Sequence, residues 1–299
     1  MKKINFFIKK YLENRPAFFS FIRPQEAFYF YKNQDLIKSP VLDFGCGDGF
    51  FANLVFGKGK IDVGLDLINN PRVNEALKNK IYKKIILYDG LKIPYKNNHF
   101  KTVISNCVLE HIPKIDFSLK EIYRIIKPNG YFLTTVMTDN WEKYMFGKKI
   151  LGKKYLEWLR KKQEHFNLLS FNQWSNKFKK IGFKIEKIDG YIDKKNAQFL
   201  ELMHFVSFDS LVSYQLFKKW VLFPKLNSLL YFKLALKNIK LKLPRSNSQA
   251  IFTNASSELK SAEAKNIYSF RNLTIKESRE GGLNVDTKKS CGLFFVLKK

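Results

Sequence analysis

The stretch Val41-Leu42-Asp43-Phe44-Gly45-Cys46-Gly47-Asp48-Gly49 constrains this chain more than any other. An apolar strand ending in an acid runs directly into three glycines at alternate positions. Glycine tolerates positive φ and lets the backbone come close to a ligand. A strand, such a turn and then a helix from Phe50 make the nucleotide-binding opening of a doubly wound α/β fold. The dinucleotide version is excluded. Its G-x-G-x-x-G/A fingerprint, counted from Gly45, needs Gly or Ala at position 50, where Phe50 stands. Asp43, just before the first glycine, would also be brought against the like charge of a pyrophosphate. It suits a ligand that is cationic at that end, such as the amino group of a methionine moiety.

Strands and turns then succeed one another in a regular order. Ile61–Asp66 is a second strand ending in an acid, and Asp66 lies near the spacing at which a carboxylate grips ribose hydroxyls. The alternative is an N-cap for the next helix. Ile85–Tyr88 is a third strand with Asp89-Gly90 at its polar end, where the acid is equally a turn former. Val103–Asn106 is a fourth. A helix then ends at Lys127-Pro128-Asn129-Gly130. Pro128 cannot continue it, while Asn129 and Gly130 tolerate the left-handed turn into a fifth strand, Tyr131–Val136.

The motifs resemble, in order, those of class I S-adenosylmethionine (SAM) dependent methyltransferases of the type 11 kind. Asp43–Gly49 is similar to the family's D-x-G-x-G-x-G. Asp89–Phe100 resembles its D-A-x-x-L-P-F-x-D-x-S-F-D segment, with Gly90 for the usual alanine and Asn97 and Lys101 for two acids. Val108–Ile112 resembles V-L-E-H-I, Arg124–Gly130 resembles R-x-L-K-P-G-G, and His165–Trp174 followed by Ile181-Gly182-Phe183 also looks like type 11 relatives. The resemblance implies a Rossmann-like seven-stranded methyltransferase sheet with helices on both faces and an antiparallel last strand. It implies SAM as cofactor, held by Asp43, Gly45, Cys46, Gly47, Gly49, Asp66, Leu67, Asp89, Gly90, Leu91 and Asn106. No metal is expected.

Four segments are expected. Residues 1–40 read as basic, aromatic-rich helices with Arg15, Arg23 and Glu26 as polar anchors, either packing on the sheet edge or covering a substrate. Residues 41–191 form the SAM-binding core, with helices over 141–146, 155–162 and 171–180, a Ser170 N-cap and a sixth strand over 183–191. Residues 192–288 are an insertion, and 289–299 supply the seventh strand. The insertion must leave and return at the carboxyl edge of the sheet, where open α/β sheets bind ligands. Between Leu211 and Ser257 it holds no acid. Leu229, Phe232, Leu236, Ile239 and Leu243 form a helical stripe flanked by lysines, and Pro224 breaks the helix pair. A basic apolar pair of this kind is either a lid or dimer element or a membrane-surface element with snorkelling lysines. Residues 245–266 read as a flexible linker.

Methyl transfer needs the acceptor held against the methyl group, and a base only if the acceptor loses a proton. His111 is the first catalytic candidate, His165 the second and His204 the third; Glu110 reads as structural. The acceptor class is a small molecule or a glycan- or lipid-linked compound. An RNA methyltransferase is the first alternative, because the net charge is +28. Lysine dominates that charge and is spread along the chain, and no N-P-P-Y-type motif or Pro-Cys nucleophile is present, so nucleic acid is the weaker partner. A non-catalytic binding protein on the same fold is the second alternative. Three scattered cysteines suit a reducing compartment. The N-terminal apolar run is broken by charges and no span-length apolar run occurs, so a cytoplasmic protein is expected, at most touching the inner face of the membrane.

Overall fold

A computed structural model describes residues 2–240 and 285–299. The predicted linker over 245–266, and Leu243 of the predicted stripe, lie outside the described residues.

Two helices open the chain, α1 (Lys2–Asn14) and α2 (Arg23–Lys32). The first strand, β1 (Val41–Phe44), is buried at every position, as befits a strand covered on both faces. It is followed by α3 (Phe50–Phe56), β2 (Val63–Leu67), α4 (Val73–Lys78), β3 (Lys84–Tyr88) and β4 (Phe100–Asn106). Next come α5 (Ile115–Ile125), β5 (Ile126–Met137), α6 (Asn140–Tyr144), α7 (Gly147–Gln163), α8 (Phe171–Ile181) and β6 (Lys184–Gly190). The insertion contributes α9 (Lys194–Val206), α10 (Phe208–Phe217) and α11 (Pro224–Lys240), and β7 (Gly292–Lys298) completes the sheet.

The seven strands run in the order β3-β2-β1-β4-β5-β7-β6. All neighbours are parallel except those of β7, which is antiparallel to both β5 and β6. This is the expected topology, so β6 is held to the sheet through β7. Alternation along the strands divides the core in two. Val41, Ile104 and Phe294 face one apolar cluster, while Leu42, Val103 and Phe295 face the other. The second cluster is covered by α5 and α8 through Leu119, Ile122, Trp174 and Phe178.

The first cluster differs from the expected division of the chain. Residues 1–40 lie over a face of the sheet rather than at its edge: Tyr29 stacks on Phe294 of β7 at 5.3 Å and 13°. The insertion shares that cluster through Leu200, Met203, Ala235 and Ile239. Asn227 of α11 donates to the Leu12 carbonyl of α1 at 2.6 Å, and Phe199 packs edge-on against Phe21 at 5.0 Å. The N-terminal helices and the insertion therefore form one layer. On α11 the inward face is Ala235, Asn238 and Ile239, with Phe232 and Leu236 half-buried, whereas Leu229 is 76% exposed. Of the described stripe residues, Phe232, Leu236 and Ile239 thus face inward and Leu229 does not. Helix spacing alone does not show where a helix leaves the body that it packs on.

Two local readings are sharpened. Ser170 caps α8 and Gln173 reaches back to the Ser170 N–H, completing a capping box. α5 ends at Ile125 and β5 begins at once, so the left-handed turn falls inside the strand: Asn129 alone carries it (φ 62°), where the pairing with β4 shifts register.

Candidate functional site

β1 carries Asp43 to the carboxyl edge, and the chain then turns at Gly45 with φ +79°. The Gly45 and Cys46 N–H groups both donate to the Leu65 carbonyl, at 2.8 and 3.1 Å, stitching the loop to β2. A Cβ at Gly45 would meet Val108 at 2.5 Å, so the segment after β4 packs directly on the loop.

Asp43 is 5% exposed and accepts one hydrogen bond, from the Tyr82 hydroxyl at 2.6 Å. Among the described residues no cation pairs with it. Burial pushes its carboxyl up to about 7; the Tyr82 hydrogen bond opposes this and the Asp66 charge adds to it. Asp66 is arranged differently. Its Oδ1 accepts from the Leu67 N–H at 2.8 Å and from Asn70 Nδ2 at 2.9 Å, and its Oδ2 accepts from the Gly47 N–H at 2.7 Å. Oδ2 keeps a free lone pair. The N-cap alternative is not realised, since Arg72 stands at the cap of α4. Asp89 is exposed and accepts from the Leu91 N–H at 2.9 Å, forming the turn in which Gly90 takes φ +82°. Leu67 and Leu91 stay exposed beside it, at 42% and 52%. Asn106 Oδ1 accepts from the Thr135 hydroxyl at 2.8 Å.

The two leading histidine candidates, far apart in sequence, are brought together. The His111 and His165 rings lie 4.9 Å apart and tilted by 34°. The Glu110 carbonyl accepts from the Phe166 and Asn167 N–H groups at 2.9 and 3.0 Å, which docks the stretch after α7 on the turn that follows β4. His111 Nδ1 lies 3.2 Å from the Glu164 carbonyl. Burial, reinforced by His111 and nearby arginines, holds His165 down to about 3, so this ring stays uncharged. His204 does not join them; it packs edge-on against Phe18 at 5.1 Å.

Glu110 itself is fully buried, and neither carboxylate oxygen has a hydrogen-bond partner among the described residues. Burial raises its pKa. Nearby Glu26 is the opposite case: Arg23, Cys107 and Tyr191 donate to it at 2.7, 3.2 and 3.0 Å. Cys107 and Tyr191 are absent from the sequence-derived set, although Cys107, with φ +51°, follows β4 directly. Arg15 and Asp48 were also not paired by sequence. Arg15 Nη2 lies 2.5 Å from Asp48 Oδ2 in the glycine loop, and its guanidinium sits 4.2 Å above the Phe50 ring. This pair fastens α1 across the loop.

Residues 7–188 match the model of a methyltransferase domain family, and the chain belongs to that family. It is 32% identical over 125 residues to the ubiquinone biosynthesis O-methyltransferase of Pelagibacter ubique, covering 40% of this chain and 50% of that protein. It is 30% identical over 112 residues to a sterol 24-C-methyltransferase of Neurospora crassa, covering 34% and 29%. The chain spans about half the length, or less, of these curated relatives. Among solved structures, the [4+2]-cyclase SpnF superposes with a TM-score of 0.51 at 12% identity, covering 92% of this chain and 80% of that one. The fold is thus shared with a cyclase, and chemistry must be argued from the site.

Proposed function

We propose that this chain is a SAM-dependent methyltransferase acting on a small-molecule or a glycan- or lipid-linked acceptor. The observation that carries the proposal is Asp43, a buried carboxylate at the rim of a glycine loop with no cation paired to it among the described residues. Burial without a counter-charge is costly. A ligand ammonium would supply what the protein itself withholds. The residues around it fit the rest of such a cofactor: Asp66 Oδ2 has a lone pair for a ribose hydroxyl, and Leu67, Gly90 and Leu91 offer an apolar rim for a flat ring. The cofactor's contribution is a methyl group on a sulfonium with a neutral leaving group.

The chain's own part is to hold the acceptor in line and exclude water. His111 is half-buried beside the uncharged His165, and it takes the acceptor's proton when the acceptor is a hydroxyl. Keeping His165 neutral also spares a cationic cofactor a like charge. The small-molecule acceptor class is supported by the names of the relatives, which describe transfer to ubiquinone precursors and sterols. The relatives cover only part of their own length here, so the acceptor is drawn as a class.

Calorimetry with SAM, wild type against Asp43→Asn, tests the cofactor. Binding by wild type and loss in the variant is expected; no binding by wild type overturns the proposal in favour of a non-catalytic protein. Incubation with methyl-labelled SAM and separate lipid, small-molecule and RNA fractions then tests the acceptor. Label in RNA alone would establish the nucleic-acid alternative.

A further inference from the structure

The end of α10, the turn after it and the start of α11 carry an unusual surface. Leu216, Phe217, Leu222, Phe223, Leu226 and Leu229 are 70%, 57%, 42%, 69%, 51% and 76% exposed. All lie at the tip, where α10 ends, or on the first turns of α11. Scattered exposed leucines need no explanation, but six large apolar side chains exposed within residues 216–229 mark an interaction surface. Lys218, Lys219 and Lys225 lie within the same stretch and are exposed. Lys218 is in the left-handed conformation that ends α10, and Trp220 stacks on Tyr214 at 4.1 Å and 12°. The tip thus combines apolar side chains, lysines and an amphipathic aromatic pair, and residues 211–240 contain no acid.

We propose that this tip docks on an anionic lipid bilayer, with Leu222, Phe223 and Leu226 entering the headgroup boundary and the lysines on lipid phosphates. Charge decides among the possible occupants. A second copy in a two-fold contact would set lysine against lysine, with no carboxylate between residues 211 and 240 to relieve it. Nucleic acid would satisfy the lysines but would leave exposed leucines facing a charged backbone, where stacking aromatics are the usual contacts. An anionic bilayer complements both features at once. Among the described residues no helix is long and apolar enough to cross a membrane, so the contact is peripheral. Geometry ties it to the candidate site. α11 packs on α1, and Arg15, just past the end of α1, is fastened to Asp48 of the glycine loop. The docking element is therefore joined, through α1, to the layer that is fastened to the glycine loop. The inference is independent of the methyl donor.

The test is co-sedimentation of the full chain with vesicles of phosphatidylcholine, with and without a quarter of phosphatidylglycerol. Wild type is compared with Phe223→Glu/Leu226→Glu and with Lys218→Glu/Lys219→Glu. Thermal melts and SAM affinity control for folding. The expected result is binding to the anionic vesicles, weakened by salt and reduced roughly tenfold or more in each variant. Equal binding by the variants overturns the proposal. So does the absence of wild-type binding. Dissociation of a wild-type oligomer by the Phe223→Glu/Leu226→Glu pair, without lipid binding, would assign the surface to a second copy.

Discussion

Asp43 and Gly45 dominate the residue scale. Asp43 is protonated in the folded chain below about pH 7 but in the unfolded chain only near its ordinary value. The folded state therefore binds the extra proton between those values, and the burial penalty is complete only above pH 7. Asp43→Asn keeps the Tyr82 hydrogen bond and removes the charge. It is expected to raise the melting temperature at pH 8, to give a smaller gain at pH 5, and to weaken SAM binding at both; thermal melts and calorimetry read these. The wild type should itself bind SAM more weakly as pH falls from 8 to 6. Gly45→Ala forces a Cβ against Val108 at a φ that only glycine takes easily, so a loss of roughly 1–3 kcal/mol in stability is expected from denaturant melts. For a hydroxyl acceptor, His111→Ala should lower kcat by about 100-fold or more with SAM affinity unchanged, whereas His165→Ala should shift the pH profile of what remains.

At the scale of elements, helix ends carry much of the order around the site. Glu201 on α9 takes hydrogen bonds from the N–H groups of Phe146 and Gly147 at the start of α7, and from the hydroxyl of Tyr155 farther along it. A carboxylate there meets unpaired N–H groups and the positive end of the helix. Glu201→Ala should cost about 1–3 kcal/mol, read by denaturant melts, and should loosen the segment that delivers His165. Elements also show where sequence suffices. The β1 strand, glycine loop and α3 are legible because their rules are local: strand burial, positive φ and helix start fall within 16 consecutive residues, 41–56. β7 is legible for the same reason. The Arg15–Asp48 pair and the Glu26 cluster are not, because each joins residues far apart in the chain whose meeting depends on packing. The family pattern supplied His111 and His165 separately; only the docking of 166–167 on Glu110 makes them neighbours.

The whole molecule is organised by what covers the two faces of the sheet. α1, α2 and the insertion close one face together, so a chain beginning at residue 41 would expose Phe294 and its neighbours to water. Such a truncation is expected to lose the cooperative thermal transition, checked by calorimetric melting of the soluble fraction. The antiparallel last strand has a further consequence, in time rather than in space. β6 is complete at Gly190, but the partner it needs begins at Gly292, so the 101 residues 191–291 are synthesised first. At the usual pace of translation this is a wait of roughly 5–20 s, during which the flank of β5 that β7 will occupy stays open. The glycine loop, β1–β5 and the His111 segment are all made before that interval starts. The nascent chain thus holds the parts of its candidate cofactor site well before its sheet can close.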